Sequence, residues 1–178
     1  MDTRPTFYYK NDQTKPIRAG GVLFFNYKKS NIELLMIKKS SNLKYEDIGG
    51  KTSEYDNDIY ETIAREVSEE TNNVINFTII QKQLHLAKCI YIPHAKYLLF
   101  IVKANSFERK LKASHFGNKE IHDDIDRTIE WVNFDDFLDN KLNTNTRLHS
   151  YELKGFLYEN FRLSSQILKK DVIYNPLM

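Results

Sequence analysis

Residues 49–73 read GGKTSEYDNDIYETIAREVSEETNN, and the second half of that stretch decides how the rest of the chain is read. Asp58 followed three places later by Glu61 makes a capping box, so a helix begins at Asp58. Ile59, Ile63 and Val67 recur at helical spacing and give that helix one apolar stripe. Asn72 tolerates the left-handed backbone conformation and is a natural place for the helix to stop. At about 100° per residue, Glu66 and Glu70 lie one turn apart and Glu69 lies within reach of Glu66, so three carboxylates converge where the apolar stripe ends.

For a lone pair of glutamates, a solvated helix end is the ordinary explanation. Here the acids prolong the core-facing stripe. Like charges at this spacing repel by roughly 0.2–0.5 kcal/mol per pair, and acids near a helix C-terminus also oppose the helix dipole. Both costs point to a compensating cation. Oxygen ligands with no companion cysteine, and no histidine at ligand spacing, favour Mg²⁺ or Mn²⁺ over Zn²⁺.

The stretch Gly50–Asn73 resembles the signature of the Nudix hydrolase family. That signature is a glycine, five variable residues, a glutamate, seven variable residues, then Arg-Glu, an aliphatic, any residue, Glu-Glu, any residue, glycine and an aliphatic. Arg65-Glu66-Val67-Ser68-Glu69-Glu70 matches its second half, and Gly49-Gly50-Lys51 supplies the usual opening. One extra residue lies between Gly50 and Arg65. The family's first glutamate therefore falls on Asn57 counted back from Arg65, or on Asp56 counted forward from Gly50. Asn72 stands for the signature glycine and Asn73 for the aliphatic after it, with Val74 one place late.

The resemblance implies an α/β fold, a Nudix-type α/β/α sandwich with a mixed β-sheet and a C-terminal helix. It implies that Glu66, Glu69, Glu70 and the carbonyl of Gly49 hold Mg²⁺ or Mn²⁺, that Glu66 also activates water, and that Arg65 braces the cluster. Arg65 can pair with Glu61 and Glu69, four residues either side. Family members often recruit a further acid from a late loop. The segment Asn118–Asp124 precedes Glu130-Trp131-Val132, which looks like the family's late strand, so Glu120 is the expected extra ligand or base, with Asp123 and Asp124 behind it. Lys51 and Arg18 are expected to bind substrate. Arg109, Lys110, Lys112, Tyr8 and Tyr9 are weaker candidates, for which surface or packing roles come first.

The implied activity is metal-dependent hydrolysis of a diphosphate bond in a nucleoside diphosphate linked to another group. Such a bond is shielded by its own negative charge, which clustered divalent ions neutralise while presenting an attacking hydroxide. A second enzyme reading is mRNA cap cleavage. The near-neutral charge and lack of a separate RNA-binding domain count against it, and the basic Lys103–Lys119 region counts for it. The Asn-, Lys-, Ile- and Tyr-rich composition, typical of AT-rich genomes such as those of large DNA viruses, keeps that reading in view. A third, from another class, is a Nudix-like module that binds a nucleotide without cutting it, which the displaced first acid motivates and the intact glutamates oppose.

Outward from the signature, Ile17–Phe25 and Leu34–Lys38 are β-rich apolar runs joined by a polar connection. Further strands are expected around Val74–Ile80, Leu86–Ile92, Lys96–Val102 and Thr128–Val132. Glycines 49 and 50 are expected in a loop whose backbone shape other residues could not adopt. A closing amphipathic helix is expected from about His149 to Lys169, carrying Leu153, Phe156, Leu157, Phe161 and Leu168. Residues 1–16 read as an N-terminal arm and 17–178 as a single domain.

The bulk numbers agree with one core: 178 residues, 41% hydrophobic. Lys plus Arg number 26 against 24 Asp plus Glu, a formal charge of +2 that provides no global field for a polyanion. Cys89, the single cysteine, suits a reducing compartment and reads as a small core filler. With no apolar run near the roughly 20 residues needed to cross a bilayer and no secretory pattern at the N-terminus, a cytoplasmic location is expected.

Overall fold

A computed structural model describes residues 2–122 and 124–162. Asp123, Leu168 and the expected helix beyond Arg162 lie outside the described residues. Strands β1 (Phe7–Tyr8) and β2 (Pro16–Ile17) pair antiparallel as a small separate sheet. The main sheet begins with β3 (Ala19–Lys28) and β4 (Asn31–Lys39), an antiparallel pair with Phe24 opposite Leu35. Then follow β5 (Tyr45–Glu46), β6 (Ile48–Lys51), helices α1 (Ile59–Glu70) and α2 (Phe77–Leu86), and strands β7 (Lys88–Ile92) and β8 (Tyr97–Lys103). The short α3 (Ala113–Phe116), strand β9 (Arg127–Asn133), α4 (Phe134–Leu138) and α5 (Tyr151–Leu157) complete the order.

The sheet order is β5-β4-β3-β8-β7, with β6 added to β3 and β9 to β4. The sheet is mixed, because β3 runs parallel to β8 while its other neighbours are antiparallel. One edge of β3 is divided: Ala19–Val22 pair with β6, and Phe24–Lys28 pair with β4. This division brings Gly49 and Gly50 of β6 under the helix that follows them.

Alternation along the strands builds two cores. Val22, Phe24, Leu35, Ile37, Leu98 and Phe100 face α1 and α2, meeting Ile63, Val67, Ile80 and Leu84. Leu23, Leu34, Met36, Leu99 and Ile101 face the opposite side, meeting Phe134 and Phe137 of α4 and Leu153 and Leu157 of α5. Each such side chain gains roughly 1.5–3 kcal/mol on burial. The result is a mixed sheet between two helical layers, the α/β/α layering that the resemblance implied.

Two expectations are corrected. The run Val74–Ile80, read as a strand, enters α2: the Asn76 side chain accepts from the Thr78 N–H, and Ile80 and Leu84 bury one turn apart. Local β-branched content gave way to a capped helix with a partner surface on α1. Gly49 and Gly50 sit in strand β6, and neither has a positive φ. The N-terminal segment is tied down: Tyr9 stacks on Tyr91 with ring centroids 5.5 Å apart, and Phe7 and Tyr9 pack on the core beneath α1. Among the described residues no helix is long and apolar enough to cross a membrane.

Candidate active site

Helix α1 forms one half of the expected capping box: the Asp58 carboxylate accepts from the Glu61 N–H at 2.8 Å, while the Glu61 carboxylate accepts from the Asn57 N–H. The stripe of Ile59, Ile63 and Val67 is buried and ends at Glu70, itself only 6% exposed. Just beyond, Asn72 and Asn73 take positive φ of 54° and 60°, so Asn72 performs the backbone turn that the signature glycine would make.

β6 runs against the carboxylate end of this helix. The Gly49 N–H donates to Glu70 Oε2 at 2.7 Å. A Cβ at Gly50 would fall against Glu66 Oε2, so the Glu66 carboxylate occupies the space a side chain would need. Gly50 is required for this close approach to Glu66, whereas a Cβ at Gly49 would meet the backbone of β3 at Gly20 and Gly21; neither glycine serves an unusual backbone shape.

Arg65 gathers the remaining acids. Its Nε and Nη2 donate to the two oxygens of Asp56 at 3.0 Å each, a bidentate pair, while Nη1 donates to Glu66 at 2.8 Å and Glu69 at 3.2 Å. Its Nη2 also donates to the Lys51 carbonyl at 3.0 Å. Glu61, expected as an Arg65 partner, accepts from Asn57 instead, through the Asn57 N–H and side-chain amide, both at 2.9 Å. Of the two residues that could stand for the family's first acid, Asp56 is the one facing Arg65. It also accepts from the Ser53 N–H and the Thr62 hydroxyl.

The electrostatics divide this cluster. Burial penalises the charge on Asp56, yet the bonds from Arg65, Ser53 and Thr62 hold its pKa below the ordinary carboxylate value. Burial likewise opposes the charge on Arg65, and Asp56 and Glu66 more than compensate, raising it. Glu66 is shifted the other way: burial raises its pKa, Arg65 partly relieves it, and Glu69 and Asp56 add repulsion. Glu70 is pushed well above the ordinary range, first by burial and then by Glu120, against partial relief from Lys39 and the Gly49 N–H. Two carboxylates on one stripe are thus short of positive charge.

Among the described residues no three His, Cys, Asp or Glu side chains are already drawn together as a metal-holding group. Arg65 pulls Glu66 and Glu69 towards itself, and Glu70 is turned to Gly49. The contact at Gly49 is made by its N–H. The donor set, oxygens with a deficit of positive charge, fits a hard divalent cation, which Glu66, Glu69, Glu70 and Glu120 would hold.

Lys51 lies between two clefts. One, about 450 Å³, includes Lys39, Glu46, Gly49, Gly50, His94 and Arg147 in its walls. The other, about 380 Å³, is bordered by Arg4, Ser53, Glu54, Arg65 and Glu66. Arg18 lines neither cleft. Its guanidinium is taken up by the Thr6 hydroxyl and the Asp2 carboxylate, so it anchors the N-terminal segment. Arg109, Lys110 and Lys112 are exposed and border neither cleft. Glu120 is half-buried and near enough to raise the pKa of Glu70, whereas Asp124 is fully exposed and pairs with Lys119.

Two groups near the site have no signal in the sequence. Asp47, Tyr97 and Arg147 form a buried network in which the Tyr97 hydroxyl and Arg147 Nε donate to Asp47 at 2.5 and 2.8 Å. The Arg147 guanidinium also lies 4.8 Å from the Tyr97 ring centre, in one wall of the larger cleft. Arg147 is a hundred residues from Asp47, and nothing local in the sequence connects them. The second group is Arg127, 1% exposed, which reads in sequence as an ordinary charge at the start of a strand.

No protein-family model matches the chain, and no curated protein matches it. Similar solved structures include a C. elegans Ap4A hydrolase in a binary complex, at 14% identity and a TM-score of 0.42, with 89% of this chain and 96% of that one covered. They also include Shewanella oneidensis NrtR bound to a 27mer DNA, at 16% identity and a TM-score of 0.42, covering 80% of this chain and 62% of that one. A second Shewanella oneidensis NrtR structure gives the same TM-score and identity, with 79% and 63% covered.

Proposed function

We propose that the chain is a Nudix-type hydrolase that cuts a diphosphate bond in a nucleoside diphosphate linked to another group, with Mg²⁺ or Mn²⁺ held by Glu66, Glu69, Glu70 and Glu120. The observation that carries this reading is the pair Glu66 and Glu70, one turn apart on the buried stripe of α1 and pressed against Gly49 and Gly50, both with raised pKa. Carboxylates in that condition cost the apo fold stability, and a divalent cation offsets the cost.

When bound, the cation supplies charge neutralisation at the phosphates and lowers the pKa of attacking water. The protein's own groups do the rest. Glu66 accepts the proton of the attacking water. Arg65, fixed by Asp56, orients Glu66 and Glu69. Lys51, reaching both clefts, places a fixed positive charge beside the phosphates. Lys39 and Arg147, each paired with Glu46, line the larger cleft beside it.

The test is a panel of nucleotide sugars, dinucleoside polyphosphates, oxidised triphosphates, diphosphoinositols and capped RNA, each incubated with Mg²⁺ and then Mn²⁺. Turnover that chelator abolishes, giving products cut at the diphosphate, is the expected result. Tight nucleotide binding without turnover would replace hydrolysis by a binding role.

A further inference from the structure

The segment Phe116-Gly117-Asn118-Lys119-Glu120 is held on the C-terminal end of α1 by two side chains. Arg127 Nη1 donates to the Gly117 carbonyl at 2.7 Å, and Nη2 donates to Lys119 at 2.9 Å, Phe116 at 3.2 Å and the Glu70 carbonyl at 2.6 Å. The Asn72 side-chain amide donates to the same Phe116 and Lys119 carbonyls, at 2.7 and 2.6 Å. The Arg127 N–H closes the loop on Asn118 at 2.8 Å. These donors satisfy carbonyls from two regions far apart in sequence, and one of them belongs to Glu70 itself.

We propose that Asn72 and Arg127 form a clamp that places Glu120 in the metal-facing carboxylate set. Both are positioning residues, and the inference rests on the proposed metal reading. A planar guanidinium can reach several carbonyls at once in fixed directions, which a lysine ammonium on a flexible stem does not reproduce. The clamp also explains why Asn serves at position 72. A glycine would make the same left-handed turn and leave the loop without two of its bonds. Glu120 follows immediately after the clamped Lys119, whose carbonyl shares Arg127 Nη2 with the carbonyl of Glu70.

Mn²⁺ alone is the probe, titrated calorimetrically into the full chain and into E120Q, N72G, E120Q/N72G and R127K. Glycine at position 72 keeps the positive φ without strain, so N72G removes only the side-chain donors and folds even where R127K does not. Loss of a partner behind a ligand costs at least about tenfold in metal affinity, and half or more of that on a logarithmic scale is expected for E120Q and N72G each. The double variant should bind no more weakly than the worse single one, and hydrogen exchange at residues 116–120 should speed up in N72G. Multiplicative losses in the double variant, or N72G binding as wild type while E120Q is weakened, would overturn the clamp and leave the metal reading intact. E120Q binding as wild type removes Glu120 from the set and the clamp with it. No Mn²⁺ binding by wild type overturns both readings.

Discussion

Replacing Glu70 by glutamine should stabilise the metal-free protein while damaging catalysis. Glu70 is almost fully buried, is repelled by Glu120 and Glu66, and sits in the last turn of α1, where a negative charge opposes the helix dipole. Two like-charge pairs at roughly 0.2–0.5 kcal/mol each, with an adverse helix-end contribution of about 0.3–1 kcal/mol, give a gain on the order of 1 kcal/mol. Relief of desolvation adds to it. Glutamine keeps the shape, and its carbonyl can still accept from the Gly49 N–H. The pH dependence has a definite sign. Because the folded-state pKa of Glu70 is raised, the folded state binds more protons between the unfolded and folded pKa values, so wild-type stability falls as pH rises through that window. The advantage of E70Q should therefore be small near pH 4 and grow towards pH 8. With Mg²⁺ or Mn²⁺ at a hundred times the dissociation constant, wild type gains about 2.7 kcal/mol from binding and the order reverses. Denaturant melts of both proteins at two pH values, in chelator and in metal, give the required stabilities. If E70Q is the less stable protein in chelator at pH 8, the carboxylate serves the fold and the cation argument loses its support.

Glu66→Gln should lower turnover at least about a hundredfold with little change in the melt, because a proton acceptor and ligand is lost while the packing remains; steady-state rates with saturating metal check this. Asp56→Ala removes both bidentate bonds to Arg65 and leaves the half-buried guanidinium to Glu66 and Glu69 alone, so a loss of about 1.5–3 kcal/mol is expected in denaturant melts, with at least about tenfold slower turnover. Since the pKa of Asp56 is lowered in the folded state, its contribution is present at neutral pH and is lost as pH falls through its folded pKa, so the wild-type and D56A stabilities should converge in acid. Gly50→Ala places a methyl where the Glu66 carboxylate sits, and calorimetric titration should show at least about tenfold weaker Mn²⁺ binding.

The helix that carries the carboxylates was legible in the sequence because its determinants are local. The Asp58 cap, the spacing of Ile59, Ile63 and Val67, and the stop at Asn72 all act within a few residues, and all appear as read. The long apolar strands were legible for the same reason, since burial on both faces leaves unbroken runs such as those in β3 and β8. The helix α2 was not. Phe77 to Ile80 is as β-prone as a strand taken alone, and only the surface offered by α1 selects the helical pairing of Ile80 with Leu84.

Within the site, the sequence by itself determined the placement of three glutamates and an arginine at fixed helical angles on α1, with two glycines upstream. What each of them touches was decided by tertiary structure. A one-residue loop insertion left Asp56 and Asn57 equivalent on paper, and the path of the loop turned Asp56 to Arg65 and Asn57 to Glu61. Arg18, a promising cation in sequence, is consumed by Thr6 and Asp2 of a segment that folds back on the sheet. Arg127 and Arg147 gained their roles from carbonyls and carboxylates brought in from distant parts of the chain. Helical angles follow from a repeat that every turn obeys, whereas hydrogen-bond partners across sequence gaps follow from how sheet and loops close, which no local pattern encodes.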